Sequence, residues 1–536
     1  MSASQCPTRL QASLTNSIRR GLFFSVGQPR PRKGYNAASR LFCTNTARRK
    51  ESKVPHYKPL QTVRQFNPHL NYRHIRDNAA SIKQNLLNRN VQDVDVDLII
   101  QLYGQFVRTD FSLAELRRAR NQNTAAMKTC GRDAEAERKQ LAEAGRELKK
   151  VIAAKEAEKV DLQAKLYEEA RHLPNDTFPG SPIGDESLAK VLSTHLTPRS
   201  STFASGAALR THMEIASLHD LVDFDRAGKV SGSSFYYLRN MGAMLEMALT
   251  RYAMDVCISH GFVPMITPDV VRHEVLEACG FHPRSEDPQT YYIAPQTGAV
   301  EQQGAARDPM QLLLTATAEF PLAAAHANET LHLSSLPIKQ VASSHAFRAE
   351  GLSGALNRGL YRVHQFTKVE MFALTTKETS DTVFAEMVNV QKILYKGLDL
   401  CFRELEMPTQ DLGAPAYRKI DIEAWMPGRQ SWGEISSASI CTDFQSRRLN
   451  MKYFTGSSTA AGATGTTGHT DFVHTINGTA CAVPRLIIAL LETHQHENGD
   501  VDVPEVLRPY LWGITTMRAG QSVQEMIANK GSPNIP

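Results

Sequence analysis

Between Pro68 and Pro174 the chain contains no proline. Proline inside a helix removes a hydrogen bond and clashes with the preceding turn, so its absence leaves room for very long helices. From about Leu113 to Leu173 the composition is dense in Ala, Glu, Lys, Arg and Leu, and apolar residues recur at Leu141, Leu148, Ile152, Leu162 and Leu166 among charged neighbours. A narrow apolar seam on a charged surface predicts an antiparallel helical hairpin. By its pattern alone such a hairpin serves as spacer, dimeriser or charged arm.

A length of 536 residues exceeds what one core organises, so several domains are expected. The division read from composition is a leader over 1–42, a linker over 43–72, a helical arm over 73–180, and a mixed α+β region over 200–536. The turn-rich Pro179–Asp185 (PGSPIGD) joins the last two, and Gly456–Gly468 (GSSTAAGATGTTG) reads as a flexible surface loop. No run of about 18 apolar residues occurs, so no membrane partner is expected. The eight cysteines are scattered, with no CxxC pair and no Cys/His cluster, which argues against structural zinc and against a disulfide framework.

The net charge of +6 conceals an asymmetry. The first 50 residues hold ten Lys or Arg and no acid, and the remainder holds 51 basic against 55 acidic residues. A leader rich in Arg and Ser and free of acid reads as a mitochondrial transit peptide, with Arg40-Leu41-Phe42 as a processing point and the mitochondrial matrix as destination. A basic tail binding nucleic acid is the other reading.

Phe347–Phe372 (FRAEGLSGALNRGLYRVHQFTKVEMF) reads as strand, loop, strand. Strand side chains alternate between faces, which places Arg362, His364, Phe366, Lys368 and Glu370 together, with Arg348 and Glu350 sharing a face in the first half. An apolar core has no use for arginines, carboxylates and an aromatic ring on one surface. A site for a polyanion, a flat base and an ammonium group uses all of them. A solvated strand with mutually paired charges is the plainer account.

No GxxxxGK[ST] phosphate loop is present, and no GxGxxG follows a predicted strand, so ATP would need another device. Thr317-Ala318-Glu319 follows the apolar Leu312–Leu314, placing a hydroxyl and a carboxylate on one expected strand face, although a turn or helix cap uses the same residues. Glu434-Ile435-Ser436-Ser437 sets two hydroxyls beside a carboxylate, a donor set suited to magnesium, which prefers hard oxygen ligands. Asn477–Arg485 (NGTACAVPR) precedes the apolar Leu486–Leu491, so Pro484 suits a helix first turn and Arg485 stands near a helix N-terminus. A cation is disfavoured there, and an anion such as a terminal phosphate would balance it.

In order along the chain these segments resemble the motifs of the class II aminoacyl-tRNA synthetases, with wording closest to the seryl-tRNA synthetases. Phe347–Phe372 resembles motif 2 and Asn477–Arg485 motif 3, and Gly261–Pro268 resembles motif 1, which implies a homodimer interface. Gly232–Leu238 resembles the family's entry to its catalytic domain, and Arg120-Asn121 and Leu173-Pro174-Asn175 match its N-terminal arm. The fold implied is α+β: an antiparallel coiled-coil arm, then a class II domain with an antiparallel sheet flanked by helices.

The resemblance also implies roles. Arg348 would hold the α-phosphate and the serine carboxylate, Glu350 the adenine end, and Phe366 one face of adenine with Arg485 over the other. Val363, Ile435 and Ser436 complete the implied ATP site, and Glu434 and Ser437 would hold Mg2+. Thr317, Glu319, Glu370, Asn477 and Thr479, with Arg348, would form the serine pocket. The implied activity is ATP-dependent activation of L-serine and its transfer to serine tRNA, with Arg348, Glu434 and Arg485 as the catalytic groups. A catalytically silent RNA-binding paralogue is the alternative, and loss of any of those three would have favoured it. The departures are a motif 2 loop, Gly351–Arg358, one residue short, Ile440 in place of Asn, Ser234 in place of Arg, and Cys481 in place of a small or aliphatic residue.

Overall fold

The apolar seam becomes a pair of long helices, Val96–Thr129 and Glu135–Ala170. Asp95 caps the first by accepting from the backbone N–H groups of Asp97 and Leu98. Ile152 and Leu166 are buried in the seam, and ion pairs such as Arg117–Glu156 (2.8 Å) and Lys159–Asp110 (2.5 Å) run along its outside. At the base, Leu166, Ala170 and Leu173 pack with Ile75, Ile82 and Leu86 from the shorter helices Tyr72–Asp77 and Ala79–Asn88. The computed structural model describes residues 66, 68–131, 134–281, 290–294, 311–349, 359–455 and 469–529. Glu350, the loop Gly351–Arg358, the leader 1–42, most of the linker 43–72 and the loop Gly456–Gly468 therefore lie outside the described residues.

The α+β part is organised by one eight-stranded sheet. Its strands are β1 (Lys190–His195), β2 (Val263–Met265), β3 (Ile338–Phe347), β4 (Gln365–Thr375), β5 (Phe402–Glu406), β6 (Arg418–Met426), β7 (Ser431–Thr442) and β8 (His474–Ala482). Their order across the sheet is β1-β5-β6-β7-β8-β4-β3-β2. All neighbours are antiparallel except β2 and β3. The strand β1, in the segment between the arm and residue 200, belongs to this sheet.

One sheet face is apolar and carries the core. Val369, Met371, Ile422, Ala438 and Ile476 pack there against the helices Asn240–Ser259, Ser380–Gly397 and Val483–His494. With that face closed by helices, the alternate residues of the central strands are left for a site. A half-buried ion pair also ties the hairpin base to the α+β part: Arg171 meets Glu277 at 2.5 Å, and Glu277 meets His273 at 3.1 Å.

Candidate active site

One β-bulge turns Glu434 onto the face of the other polar residues, and a second turns Cys481 away from it. Between β6 and β7, Ser437 pairs with Asp421 and Ser436 with Ile422, but Glu434 pairs with Glu423, so Ile435 is skipped. Residues three apart on a regular strand face opposite ways, and the extra residue cancels this for Glu434 and Ser437. A second bulge skips Ala480, as Thr479 pairs with Glu370 and Cys481 with Val369. Phe366, Lys368, Glu370, Asn477, Thr479, Ser437 and Glu434 thereby share one surface.

Two sequence expectations are corrected. Arg362 and His364 precede the strand, which begins at Gln365, so the alternating run holds from Phe366 onward. His364 still joins the site's edge, because its carbonyl accepts from the backbone N–H of Arg348 at 2.9 Å. Thr317-Ala318-Glu319 is not strand but the entry to the helix Glu319–Ala324, with the Thr317 hydroxyl accepting from the Glu319 N–H at 3.2 Å. Thr317 and Glu319 are thus placed by a turn, a short polar side chain competing for local backbone.

One end of the surface is cationic. Arg348, Arg485, Glu434, Ser437, Ile435, Ser436, Val363 and Phe366 all line a single cavity. The Arg348 guanidinium lies 5.5 Å from the Phe366 ring centroid. Arg485 stands in the first turn of its helix, beside Pro484. Its Nη1 donates to the Glu434 carbonyl at 2.9 Å and meets Glu434 Oε2 at 3.2 Å, so the cation at the helix N-terminus is balanced by a carboxylate. The Arg485 guanidinium also lies 4.7 Å from the centroid of the Tyr361 ring. Burial pushes the Glu434 carboxyl up, but Arg485, Lys419 and Arg348 together hold it below its usual range. It stays ionised beside Ser437, and these two hard oxygen donors on one face fit a magnesium ion.

The other end is a buried polar cluster. Glu319 Oε2 accepts from Asn477 Nδ2 at 3.1 Å, and Oε1 accepts from Gln445 Nε2 at 2.6 Å. Gln445 in turn accepts from the Thr475 hydroxyl at 2.6 Å. Thr479 donates to Glu370 at 3.1 Å, and Lys368 pairs with Glu370 at 2.7 Å, with Glu370 only 1% exposed. Burial, with Glu370 nearby, pushes Glu319 up to about 7, while Gln445, Lys368 and Arg348 oppose the rise. Glu370 is paired with Lys368 while Glu319 is held by the neutral amides of Gln445 and Asn477, an arrangement that suits an incoming ammonium group.

Gln445, Thr475, Lys368 and Tyr361 carry site contacts to which sequence reasoning gave no role. Lys368 stood within the segment Phe347–Phe372, whereas Gln445 and Tyr361 meet partners distant in sequence, Glu319 and Arg485. Of the departures, Ile440 and Cys481 are each 1% exposed, so both face packed interior, and the Ser234 carbonyl accepts from the His364 N–H at 3.1 Å.

Comparison with known proteins agrees with this geometry. Residues 301–494 match the tRNA synthetase class II core domain (G, H, P, S and T), and residues 70–177 match the seryl-tRNA synthetase N-terminal domain. The chain is similar to the serine–tRNA ligase of Treponema denticola, at 38% identity over 82% of this chain and 98% of that one. It is similar to the mitochondrial serine–tRNA ligase of Mus musculus, at 41% identity over 73% of this chain and 71% of that one. The seryl-tRNA synthetase of Pyrococcus horikoshii, solved in complex with ATP, aligns with a TM-score of 0.72 and 32% identity over 84% of this chain and all of that one. On sequence, fold and site together, the chain belongs to the seryl-tRNA synthetase family of class II aminoacyl-tRNA synthetases.

Proposed function

We infer that the protein activates L-serine with ATP and transfers the seryl group to the 3′ end of serine tRNA. The observation that carries this reading is the polar face itself, cationic at Arg348 and Arg485 and acidic at Glu319 and Glu370. A triphosphate belongs at the first end and an amino acid's ammonium at the second, so the serine carboxylate falls between them, toward Arg348. Its attack on the α-phosphorus expels pyrophosphate. Arg348 and Arg485 counter the negative charge that shifts during this displacement. No side chain has to move a proton in that step, so positioning and electrostatics dominate. The small pocket of Thr317, Glu370, Asn477 and Thr479 offers partners for the serine hydroxyl.

Glu434 and Ser437 would hold Mg2+, which when bound neutralises triphosphate oxygens. The proposed assembly is a homodimer through Gly261–Pro268. There Val263 and Ile266 are 56% and 99% exposed on the edge of the sheet, a placement that favours a covering partner. The proposed location is the mitochondrial matrix, supported by the acid-free leader and by the likeness to the mouse mitochondrial enzyme. The helical hairpin over 73–180 is the proposed tRNA-binding arm, and 200–536 the proposed catalytic domain. The full function is tested by charging a serine tRNA transcript with labelled serine. Charging of serine tRNA above a non-cognate tRNA is expected, and equal or absent charging would overturn the reading.

A further inference from the structure

Tyr361 has no part in the roles assigned so far, yet its ring lies against two guanidinium groups. Arg429 stands 3.8 Å from the ring centroid and Arg485 4.7 Å. The Tyr361 carbonyl also accepts from Arg485 Nε at 3.3 Å. On a further side the ring packs on β7 at Gly433, immediately before Glu434. A Cβ built at Gly433 would lie 3.0 Å from Tyr361 Cε2 and 2.9 Å from Met426 Cε, so glycine is what lets the ring sit this close. One aromatic ring therefore touches the strand that carries Glu434 and the arginine that pairs with it.

The ring is itself fixed from behind. The backbone N–H of Arg429 donates to Glu492 Oε2 at 3.0 Å, and Glu492 Oε1 accepts from the His212 N–H at 2.9 Å and lies 3.1 Å from His212 Nδ1. Glu492 is fully buried. Two residues before Tyr361, Gly359 has φ +73° and passes so close to His212 that a Cβ there would meet Nε2 at 2.5 Å. The chain leaving the motif 2 loop is thus held at Gly359 and at Arg429, with Tyr361 between them.

We propose that Tyr361 is a positioning residue for ATP: its ring and carbonyl hold the Arg485 guanidinium over the triphosphate end of the site and set its distance from Glu434. The face of an aromatic ring attracts a cation and costs little conformational freedom, so it can hold a guanidinium without neutralising it. The ring thus holds the guanidinium from a second side without adding another carboxylate to the one Glu434 already presents. This deepens the reading of Arg485 as a triphosphate-binding group and rests on it.

The test compares Tyr361→Phe and Tyr361→Leu with the unaltered full chain. Both variants keep the carbonyl, and only the second removes the ring. Serine-dependent pyrophosphate exchange is measured with ATP and serine varied separately, alongside equilibrium binding of ATP and thermal melting. Tyr361→Phe is expected to stay within about twofold throughout. Tyr361→Leu is expected to raise KM for ATP, and the ATP dissociation constant, by about tenfold, with KM for serine and the melting temperature little changed. The proposal is overturned if Leu leaves ATP binding unchanged, if Phe is as damaging as Leu, or if KM for serine rises equally. A protein that binds ATP but performs no exchange contradicts the proposed function alone, and the binding series then still decides the role of Tyr361.

Discussion

Asn477 donates to Glu319 across 3.1 Å, joining the middle of β8 to the first residue of the helix Glu319–Ala324. With Gln445 on the other oxygen, both oxygens of the Glu319 carboxylate are held by amide donors. The acid titrates at about 7 because burial and Glu370 disfavour its charge.

A pH dependence of serine binding follows. The raised value means that Glu319 holds a proton below about 7, and an ammonium ligand needs the ionised form. From about pH 8 down to about pH 6 the ionised fraction of such a group falls roughly tenfold, so KM for serine should rise by about that factor. Glu319→Gln should bind serine weakly at every pH and lose the slope. A wild-type KM that is flat across this range would contradict the assignment.

Under the proposed function, Arg485→Ala and Glu434→Ala should each lower pyrophosphate exchange about a hundredfold or more, since the first removes a cation proposed to face the triphosphate and the second a proposed Mg2+ ligand. The two groups touch at 3.2 Å, so the double variant should lose little beyond the worse single one. Additive losses in exchange assays would mean that the residues act independently.

The Arg171–Glu277 pair should stabilise the docking of the hairpin base, because its side chains are only 18% and 25% exposed. Arg171→Ala should cost about 2 kcal/mol in urea unfolding near neutral pH. Burial pushes Glu277 up, but His273 and Arg171 outweigh it and hold the acid at about 2. A depressed acid stabilises above the ordinary carboxylate range and loses that contribution as pH falls toward its own value. The gap between wild type and variant should therefore shrink from about pH 6 toward about pH 3.

The distal hairpin should be separable from chemistry. Arg117 meets Glu156 across the pair of helices, so replacing residues 117–156 with a short glycine turn closes the cut and keeps the base packing of Leu166, Ala170 and Leu173. Near-normal exchange is expected, with tRNA charging lower by orders of magnitude, because charged arms supply salt-dependent binding to a sugar-phosphate backbone. Unimpaired charging would remove the arm's proposed role.

Much of this was legible in the sequence because it depends on local period. The hairpin follows from a proline-free apolar seam, and Phe366, Lys368 and Glu370 follow from strand alternation. The bulge that turns Glu434 to the side of Ser437 leaves no local signature, so spacing alone would have put them on opposite faces. Thr317 and Glu319 were misplaced on a strand because a short apolar run, Leu312–Leu314, precedes a turn that the tripeptide equally permits. Gln445 and Tyr361 acquire meaning only from partners more than a hundred residues away in sequence, Glu319 and Arg485, which no window along the chain brings together.

The central claim is that this site selects serine, and amino-acid-dependent pyrophosphate exchange tests it most directly. The pocket of Thr317, Glu370, Asn477 and Thr479 is polar, and a site built to bond a hydroxyl rejects an analogue lacking it because buried polar groups are left unpaired. Across the twenty amino acids, serine should support exchange, and alanine should be poorer by about a hundredfold or more. Exchange with alanine comparable to that with serine, or none with serine while ATP binds, would contradict the account.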